Sequence, residues 1–208
     1  LNILGLIDSD YTGDYFFEGE HNLKANSSKT QKIIRSEISY LFQNFALIEN
    51  ETVSFNLLLA LKYIKKSKKE KLILIEQILD KLHLNGYLNK KIASLSGGEQ
   101  QRVALARAVI KPCKLILADE PTGSLDETNR DTIIDLLKVL NDEGKTIIIV
   151  THDPIVANNC HKIIQLCLKR NHLYGKNSKN QNLQELYHMF SKLELELSCQ
   201  MLYQKAEE

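Results

Sequence analysis

Two short apolar strands separated by one helical segment constrain the fold of this chain more than any other feature. Leu115 to Ala118 and Thr146 to Val150 are apolar at nearly every position, and strands of that kind are buried on both faces of a sheet. Asn129 to Leu140 has helical periodicity between them, and Gly144 ends it. A strand-helix-strand unit predicts a parallel strand pair with a right-handed crossover. The sequence therefore predicts an α/β fold.

Chemically capable side chains stand where these strands end. Asp119 and Glu120 follow the first strand, and His152 follows the second. Because ligands of parallel sheets bind at the carboxyl ends of the strands, we expect the three side chains to share one edge. Asp119 would hold Mg²⁺, and Glu120 would polarise an attacking water as general base. A lone histidine at a strand end is more often structural, but a position beside Glu120 favours a functional role.

Gln43 follows a third short strand, Ile38 to Phe42. An amide at a strand end can serve a ligand or a neighbouring loop equally well, so the residues alone leave both roles open.

The string Leu-Ser-Gly-Gly-Glu-Gln-Gln-Arg, residues Leu95 to Arg102, predicts a helix start that also binds an anion. Ser96 and Glu99 form a capping-box pattern. Gly97 and Gly98 allow a phosphate to approach the backbone, where free N–H groups and the helix dipole favour negative charge. A plain helix cap is the simpler alternative, but the full eight-residue string favours the anion site.

Composition excludes several classes of protein. The chain has 208 residues, enough for one domain with a real core, and a net charge of +1, which argues against a dedicated nucleic-acid binder. The sequence has no apolar run near the roughly 20 residues needed to cross a bilayer, so membrane work would require a partner. Its four cysteines form no Cys-x-x-Cys pair and follow no secretory signal, which favours a reducing cytosol.

Residues 52–91 predict a small helical subdomain. Apolar residues recur at helical spacing from Thr52 to Leu84, and Gly86 ends the pattern. Six lysines crowd the middle of this region, between Lys62 and Lys71. We expect them to lie in a solvated turn between two helices; a patch for lipid headgroups or for an acidic partner is the alternative.

The first and last parts of the chain are less regular. Leu1 to Ile7 is predicted as the end of a helix, Asp14 to Glu18 as an aromatic strand, and His21 to Lys32 as a polar connection. Residues 167–208 form a divergent tail in which Leu183 to Glu207 has amphipathic helical spacing. A metal cluster in this part of the chain is disfavoured, because the spacing matches no common site; its ligands would be Cys160, His161, Cys167 and His172.

The motifs together resemble the nucleotide-binding subunit of ATP-binding-cassette (ABC) transporters. The resemblance runs from Leu1 to about Leu166, with every motif in the family's order. The matching segments are the signature Leu95–Arg102, the Walker B strand Leu115–Glu120, the D-loop Ser124–Asp126, the switch histidine Thr151–Asp153 and the Q-loop Tyr40–Gln43. Within the family, the segments around Gln43 and Asp126 look most similar to exporters of the macrolide-efflux, lipoprotein-release and bacteriocin types.

The resemblance implies a P-loop NTPase-like ABC ATPase core with a parallel sheet, antiparallel N-terminal strands and a helical subdomain. It implies a head-to-tail dimer of two ATPase subunits, homo- or heteromeric, that binds ATP and Mg²⁺ and drives transmembrane permease subunits at the cytoplasmic face of the membrane. Ser96, Gly97 and Gly98 would bind the γ-phosphate of a nucleotide held by the partner. His152 would contact the same phosphate, Gln43 would sense Mg²⁺ and the permease, and Asp126 would cross the interface.

One family motif is absent from the 208 residues. No Gly-x-x-x-x-Gly-Lys-Ser/Thr loop, the phosphate cradle, precedes a helix, and Gly144-Lys145-Thr146 leads into a strand. Losing about three charge-assisted bonds removes roughly 4 to 9 kcal/mol, so the chain should not hold ATP on a cradle of its own. The cradle's strand is normally central to the sheet, so we expect a gap or a rearranged neighbour there. We also expect the chain to be a fragment or a truncated form of a longer gene.

Three functions remain open at this point. The first is the ATPase subunit of a bacterial exporter. The second is a degenerate subunit that lends only its signature to a complete partner; the intact Glu120 and His152 weigh against it and the missing cradle weighs for it. The third is a non-transport ABC ATPase of DNA repair or translation, which the absence of coiled coils and basic inserts disfavours.

Overall fold

The computed structural model describes residues 1–11, 14–21, 23–123, 125–166 and 200–204. The helices are α1 (Ser28–Ser36), α2 (Val53–Ala60), α3 (Lys68–Lys81), a short 3₁₀ helix (Ile92–Ser94), α4 (Gly97–Val109), α5 (Glu127–Asp142) and α6 (Pro154–Asn158). The strands are β1 (Phe16–Phe17), β2 (Glu20–His21), β3 (Ile38–Leu41), β4 (Leu115–Asp119), β5 (Thr146–Thr151), β6 (Lys162–Leu166) and β7 (Gln200–Gln204).

Five parallel strands in the order β3-β4-β5-β7-β6 form the main sheet, and β1 and β2 pair antiparallel as a separate ribbon. In register, β3 pairs with β4 from Ile38 opposite Leu115, and β4 pairs with β5 from Leu115 opposite Thr146. The predicted α/β architecture is confirmed. The carboxyl ends of β3, β4 and β5 therefore lie at one edge of the sheet.

Side chains of the central strands alternate between two hydrophobic cores. Ile116 and Ala118 of β4 join the larger core, in which α2, α3, α4 and α5 cover one face of the sheet. Leu115 and Leu117 join a smaller core, with Leu6 and Leu23 of the N-terminal segment on the opposite face. Burial on both faces explains why these strands are apolar at successive positions.

Strand β7 is the part of the sheet that the sequence did not predict. It lies between β5 and β6 and runs parallel to both, with Gln200 opposite Ile148 on one side and opposite Lys162 on the other. A segment from the C-terminal end of the chain thus lies inside the sheet, next to the strand that ends at Thr151. The amphipathic helix predicted for Leu183–Glu207 is wrong at residues 200–204, and the remainder of that prediction lies outside the described residues.

The start of the chain agrees with the predicted helix end. The Gly5 amide donates to the Leu1 carbonyl at 2.8 Å, the Ile7 amide donates to the Asn2 carbonyl at 2.9 Å, and Leu6 has φ of +59°, as at a helix C-terminus.

One other local prediction differs from the structure. The polar connection after His21 contains helix α1, whose N-cap is Ser27. Hydrophilic residues conceal this helix from a search for apolar periodicity, because only Thr30 within it is buried.

Residues 52–91, which the sequence analysis predicts to be a small helical subdomain, contain α2 and α3. Thr52 caps α2, while Ser67 and Glu70 form a complete capping box at the start of α3. Asn56 is fully buried; its side chain accepts from the Ile48 amide and donates to the Ile48 and Thr52 carbonyls. Within the part of the chain that the structure describes, no helix is both long enough and apolar enough to cross a membrane.

Candidate functional site

Glu120 and His152 meet at the carboxyl edge of the sheet. The His152 Nδ1 atom lies 2.8 Å from Glu120 Oε1, and the His152 amide donates to the same oxygen at 2.9 Å. The buried Thr151 hydroxyl donates to Glu120 Oε2 at 2.9 Å. The Glu120 side chain is 14% exposed and that of His152 is 74% exposed. The pair therefore presents a fixed carboxylate beside an imidazole that is open to a ligand.

The backbone at Glu120 directs this carboxylate toward β5. Glu120 has φ of +46°, in the left-handed region that side-chain-bearing residues rarely adopt. Its amide donates to the Val150 carbonyl at 2.8 Å, which continues the β4–β5 pairing by one residue. Unusual backbone conformations of this kind cluster at functional sites.

Asp119 ends β4 immediately before Glu120. Burial raises the pKa of its carboxyl group, the α-amino group of Leu1 acts in the opposite direction, and the charge of Glu120 adds to the increase. The start of the chain thus lies within electrostatic range of Asp119. The Tyr40 hydroxyl also donates to the Asn2 side chain at 2.9 Å, which fixes Asn2 near β3.

The N-terminus of α4 is an exposed helix tip with a firmly held cap. Ser96 is exposed, and its amide and hydroxyl both donate to Glu99 Oε2 at 2.8 Å. The Tyr87 hydroxyl donates to the other carboxylate oxygen, Oε1, at 2.5 Å. These hydrogen bonds, that from Tyr87 first, lower the pKa of Glu99 to about 2. Lys90 lies 3.4 Å from the centre of the Tyr87 ring.

The two glycines of the tip have different surroundings. A Cβ atom on Gly97 would meet nothing within 4 Å, whereas one on Gly98 would lie 3.4 Å from the Leu125 side chain. Gly97 is therefore open to a ligand, and a Cβ atom at Gly98 would be in ordinary van der Waals contact with the segment before α5.

Asp126 is the N-cap of α5 and connects to α4. Its carboxylate accepts from the Asn129 amide at 2.9 Å and from the Asn129 side chain at 2.7 Å, and these bonds lower its pKa. Asn129 in turn accepts a hydrogen bond from Arg102. The neighbouring D-loop residue Ser124 lies outside the described residues.

Gln43 lies two residues beyond the end of β3, and its side chain is exposed. It begins a loop that is hydrogen-bonded to α4. Phe45 and Ala46 both have positive φ, +60° and +49°. The Arg107 guanidinium donates to the carbonyls of both residues, at 2.7 and 2.6 Å. Burial lowers the pKa of Arg107. The loop after Gln43 is thus tied to the helix that starts at Ser96.

The predicted site residues fall into two groups. Asp119, Glu120 and His152 lie at the strand ends as expected, whereas Ser96, Gly97, Gly98 and Glu99 form the separate α4 tip. Among the described residues no hydrogen bond or ion pair joins the tip to the Glu120–His152 pair. Nor do three His, Cys, Asp or Glu side chains group there as a metal site. Cys167 and His172 of the disfavoured metal cluster lie outside those residues.

Three supporting residues escaped the sequence analysis as individual candidates: Tyr87, Arg107 and Thr151. Thr151 belongs to the switch-histidine motif, but the hydrogen bond from its hydroxyl to Glu120 depends on the left-handed backbone conformation of Glu120. Tyr87 and Arg107 carry no sequence signal, since their partners are 12 and about 60 positions away.

Comparisons with known proteins identify the class to which this fold and these motifs belong. The family profile described as ABC transporter matches residues 2–123. The chain belongs to the ABC transporter family, and it corresponds to the family's ATP-binding domain.

Particular relatives are similar over most of the chain. The macrolide export ATP-binding/permease protein MacB of Mannheimia succiniciproducens is 37% identical over 166 residues, which are 80% of this chain and 26% of that protein. The ABC transporter ATP-binding protein YxdL of Bacillus subtilis is 35% identical, over 90% of this chain and 72% of that protein. The chain thus spans about a quarter of the length of the MacB relatives.

The fold also matches a solved ABC transporter cassette. The dimeric structure of MJ0796 superposes with a TM-score of 0.71 and 37% identity, over 76% of this chain and 70% of that one. A second structure of MJ0796, described as a dimeric post-hydrolysis state bound to ADP and Pi, matches equally well.

Proposed function

We propose that this chain is an ATPase subunit of a bacterial ABC exporter and works in a head-to-tail dimer. The observation that carries the proposal is the separation of the signature from the strand-end residues. Glu120 and His152 lie at the strand ends, the exposed tip of α4 lies apart from them, and no hydrogen bond or ion pair among the described residues joins the two. Two such chains in opposite orientation would bring the tip of one to the strand ends of the other.

The residues present fit part of an ATP site. The exposed helix tip at Ser96 and Gly97 offers unoccupied space and amide donors, which suit a phosphate. Asp119 and Gln43 offer oxygen ligands of the kind that Mg²⁺ prefers. The phosphate cradle has no counterpart in the 208 residues. This chain therefore supplies the signature half fully and the strand-end half without its cradle.

In this proposal each site residue has a distinct role in ATP hydrolysis. Bound Mg²⁺ would neutralise charge on the phosphates. Glu120 accepts a proton from the attacking water, and its bonds to Thr151 and His152 hold the carboxylate in one orientation. His152 presents its exposed imidazole to the γ-phosphate. Gly97 and Gly98 donate their amides to that phosphate from the opposite subunit, and Ser96 would donate to it on releasing Glu99. Asp126 lies at the dimer interface.

A groove beside the helical subdomain supports a permease partner. It is lined by Tyr40 of β3, Leu59 of α2, Tyr63 of the following turn and Arg107 of α4. Leu59 is 42% and Tyr63 57% exposed, so the two adjacent side chains offer apolar surface. The relatives named ATP-binding/permease proteins combine both functions in one chain. We propose that a permease segment fills this groove and places the chain at the cytoplasmic face of the membrane.

The exported substrate is proposed only by class. The similarity to macrolide export proteins favours efflux of an amphipathic compound or peptide, of the macrolide, lipoprotein or bacteriocin type. Contacts with that substrate would belong to the permease.

Complementation between two defective chains tests the proposal. The first is the 208-residue chain itself, which has a signature and no cradle. The second carries a Gly-x-x-x-x-Gly-Lys-Ser cradle with its strand, joined ahead of Leu1, and the substitution Ser96→Arg in its signature.

We expect each chain alone to hydrolyse ATP at background rate and the mixture to be at least about a hundredfold faster, since one complete site then forms. Ser96→Arg in both chains is the control and should return the rate to background. If the mixture is no faster than its components, the signature does not act across a dimer and the proposal is wrong.

The degenerate-subunit alternative, in which this chain lends only its signature to a complete partner, predicts the same increase in the mixture. The cradle-bearing chain without the Ser96→Arg substitution addresses this alternative: hydrolysis by that chain alone would show that Glu120 and His152 are competent once a cradle is present.

A further inference from the structure

The turn between α2 and α3 carries an unusual concentration of positive charge. Residues 62–71, here called the lysine segment, contain six lysines against a single acid, Glu70, a net charge of +5. Lys62, Lys65, Lys66, Lys68 and Lys69 are exposed, and Lys71 is half-buried. The whole chain has a net charge of only +1. The segment is therefore a local feature of the surface rather than part of a generally basic protein.

The protein itself does not neutralise this charge. None of the six lysines takes part in an ion pair within the described ranges. Glu70 is already committed to the capping box, where its carboxylate accepts from the Ser67 amide at 2.8 Å and from the Ser67 hydroxyl at 2.7 Å. The lysines are therefore available to an external anion.

Exposed apolar side chains adjoin the lysine segment. Tyr63 is 57% exposed within it, and Leu59 is 42% exposed one helical turn earlier. The Tyr63 ring lies beneath the Arg35 guanidinium at 4.6 Å, and the Lys62 ammonium is 5.6 Å from the ring centre. An aromatic ring flanked by cations suits the boundary between lipid headgroups and acyl chains, where amphipathic side chains accumulate.

We infer that the lysine segment binds the anionic headgroups of a lipid bilayer, with Tyr63 at the headgroup level. Clustered lysines are attracted to an anionic membrane surface, in which the lipid headgroups can move laterally. The lysines therefore need no fixed arrangement of anions. Leu59 and Tyr63 also line the groove assigned to the permease, so permease and lipid would lie on the same side of the chain. That orientation rests on the proposed function, but the lipid contact does not depend on ATP or on a second subunit.

Vesicle flotation of the nucleotide-free 208-residue chain tests the inference. We expect binding to phosphatidylcholine vesicles that contain about 30% phosphatidylglycerol, little binding to pure phosphatidylcholine, and release at about 0.5 M NaCl. The variant Lys65→Gln, Lys66→Gln, Lys68→Gln, Lys69→Gln should lower binding by roughly tenfold or more. The matched control, with the same net charge, replaces Lys24, Lys81, Lys138 and Lys162 by Gln and should retain most of the binding.

Tyr63→Ser separates a membrane contact from attraction by charge alone. This change keeps every cation and should still weaken binding several-fold, because the ring no longer enters the interface. The inference is overturned if pure phosphatidylcholine binds equally well, if both quadruple variants lose binding to the same extent, or if soluble polyglutamate competes as effectively as the anionic vesicles. Since the assay contains no nucleotide, failure here leaves the ATPase proposal untouched.

Discussion

Glu120 shows how much the chemistry of single residues was visible in the sequence. A carboxylate directly after a buried strand and a histidine after the next strand were sufficient to predict that the two lie together, because parallel strands end at the same edge. Their mutual orientation was not predictable. Their orientation depends on the left-handed backbone at Glu120 and on the hydrogen bond from the buried Thr151 hydroxyl. Neither feature can be recognised from the order of apolar and polar residues.

The α4 tip gives a residue-scale prediction through Tyr87. Tyr87→Phe removes one hydroxyl and with it the bond to Glu99 Oε1, so the pKa of Glu99 should rise from about 2 toward its ordinary value of 4.5. A carboxyl group whose pKa is lower in the folded than in the unfolded chain stabilises the fold at pH values above its unfolded-chain pKa. This stability is lost as the pH falls through the pKa of the folded chain. Since that pKa is higher in the variant, the variant should lose stability at a higher pH. Titration of the Glu99 carboxyl by ¹³C NMR measures the shift.

Tyr63→Phe is the control for that titration. Tyr63 is exposed and lies away from the capping box, so its loss should leave the pKa of Glu99 unchanged. Identical titration curves for Tyr87→Phe and the unsubstituted chain would show that the serine bonds alone hold Glu99.

At the scale of elements, prediction succeeded where burial dictates the pattern. Strands β4 and β5 are apolar because helices and the N-terminal segment cover both faces, and helix α4 begins at the capping-box pattern that the sequence shows at Ser96 and Glu99. Helix α1 was missed because it buries only Thr30. Strand β7 was missed because pairing between β5 and β6 depends on backbone groups, which every residue carries.

Strand β7 leads to a prediction about the stability of the sheet. Among the described strands β6 pairs only with β7, so β6 reaches the rest of the sheet through it. Deleting residues 200–208 should expose backbone amides of β6 and of the outer edge of β5. Hydrogen exchange should then accelerate at residues 162–166, while β3 and β4 keep their protection.

A shorter deletion, of residues 205–208 alone, is the control and should leave exchange unchanged. Equal protection of β6 with and without residues 200–204 would mean that β7 does not hold it.

At the scale of the whole molecule, the proposed function uses two half-sites, the signature tip and the strand-end pair, that meet only between two chains. The signature tip, the strand-end pair and the groove lie on one scaffold, and the Arg107 contacts connect the groove loop to the helix that carries the tip. The sequence predicted each motif, but only the structure shows that the tip and the Glu120–His152 pair share no bond within the described residues. We propose that a second subunit completes the site.

The most direct measurement places Glu120→Gln in one partner of the complementation mixture at a time. In the cradle-bearing chain the substitution removes the general base beside the nucleotide, and ATP hydrolysis should fall by about 10²- to 10⁴-fold. In the 208-residue chain, which contributes only its signature, the same substitution should leave the rate within about twofold of the unsubstituted mixture. Equal losses from both placements, or no loss from the first, would contradict the account.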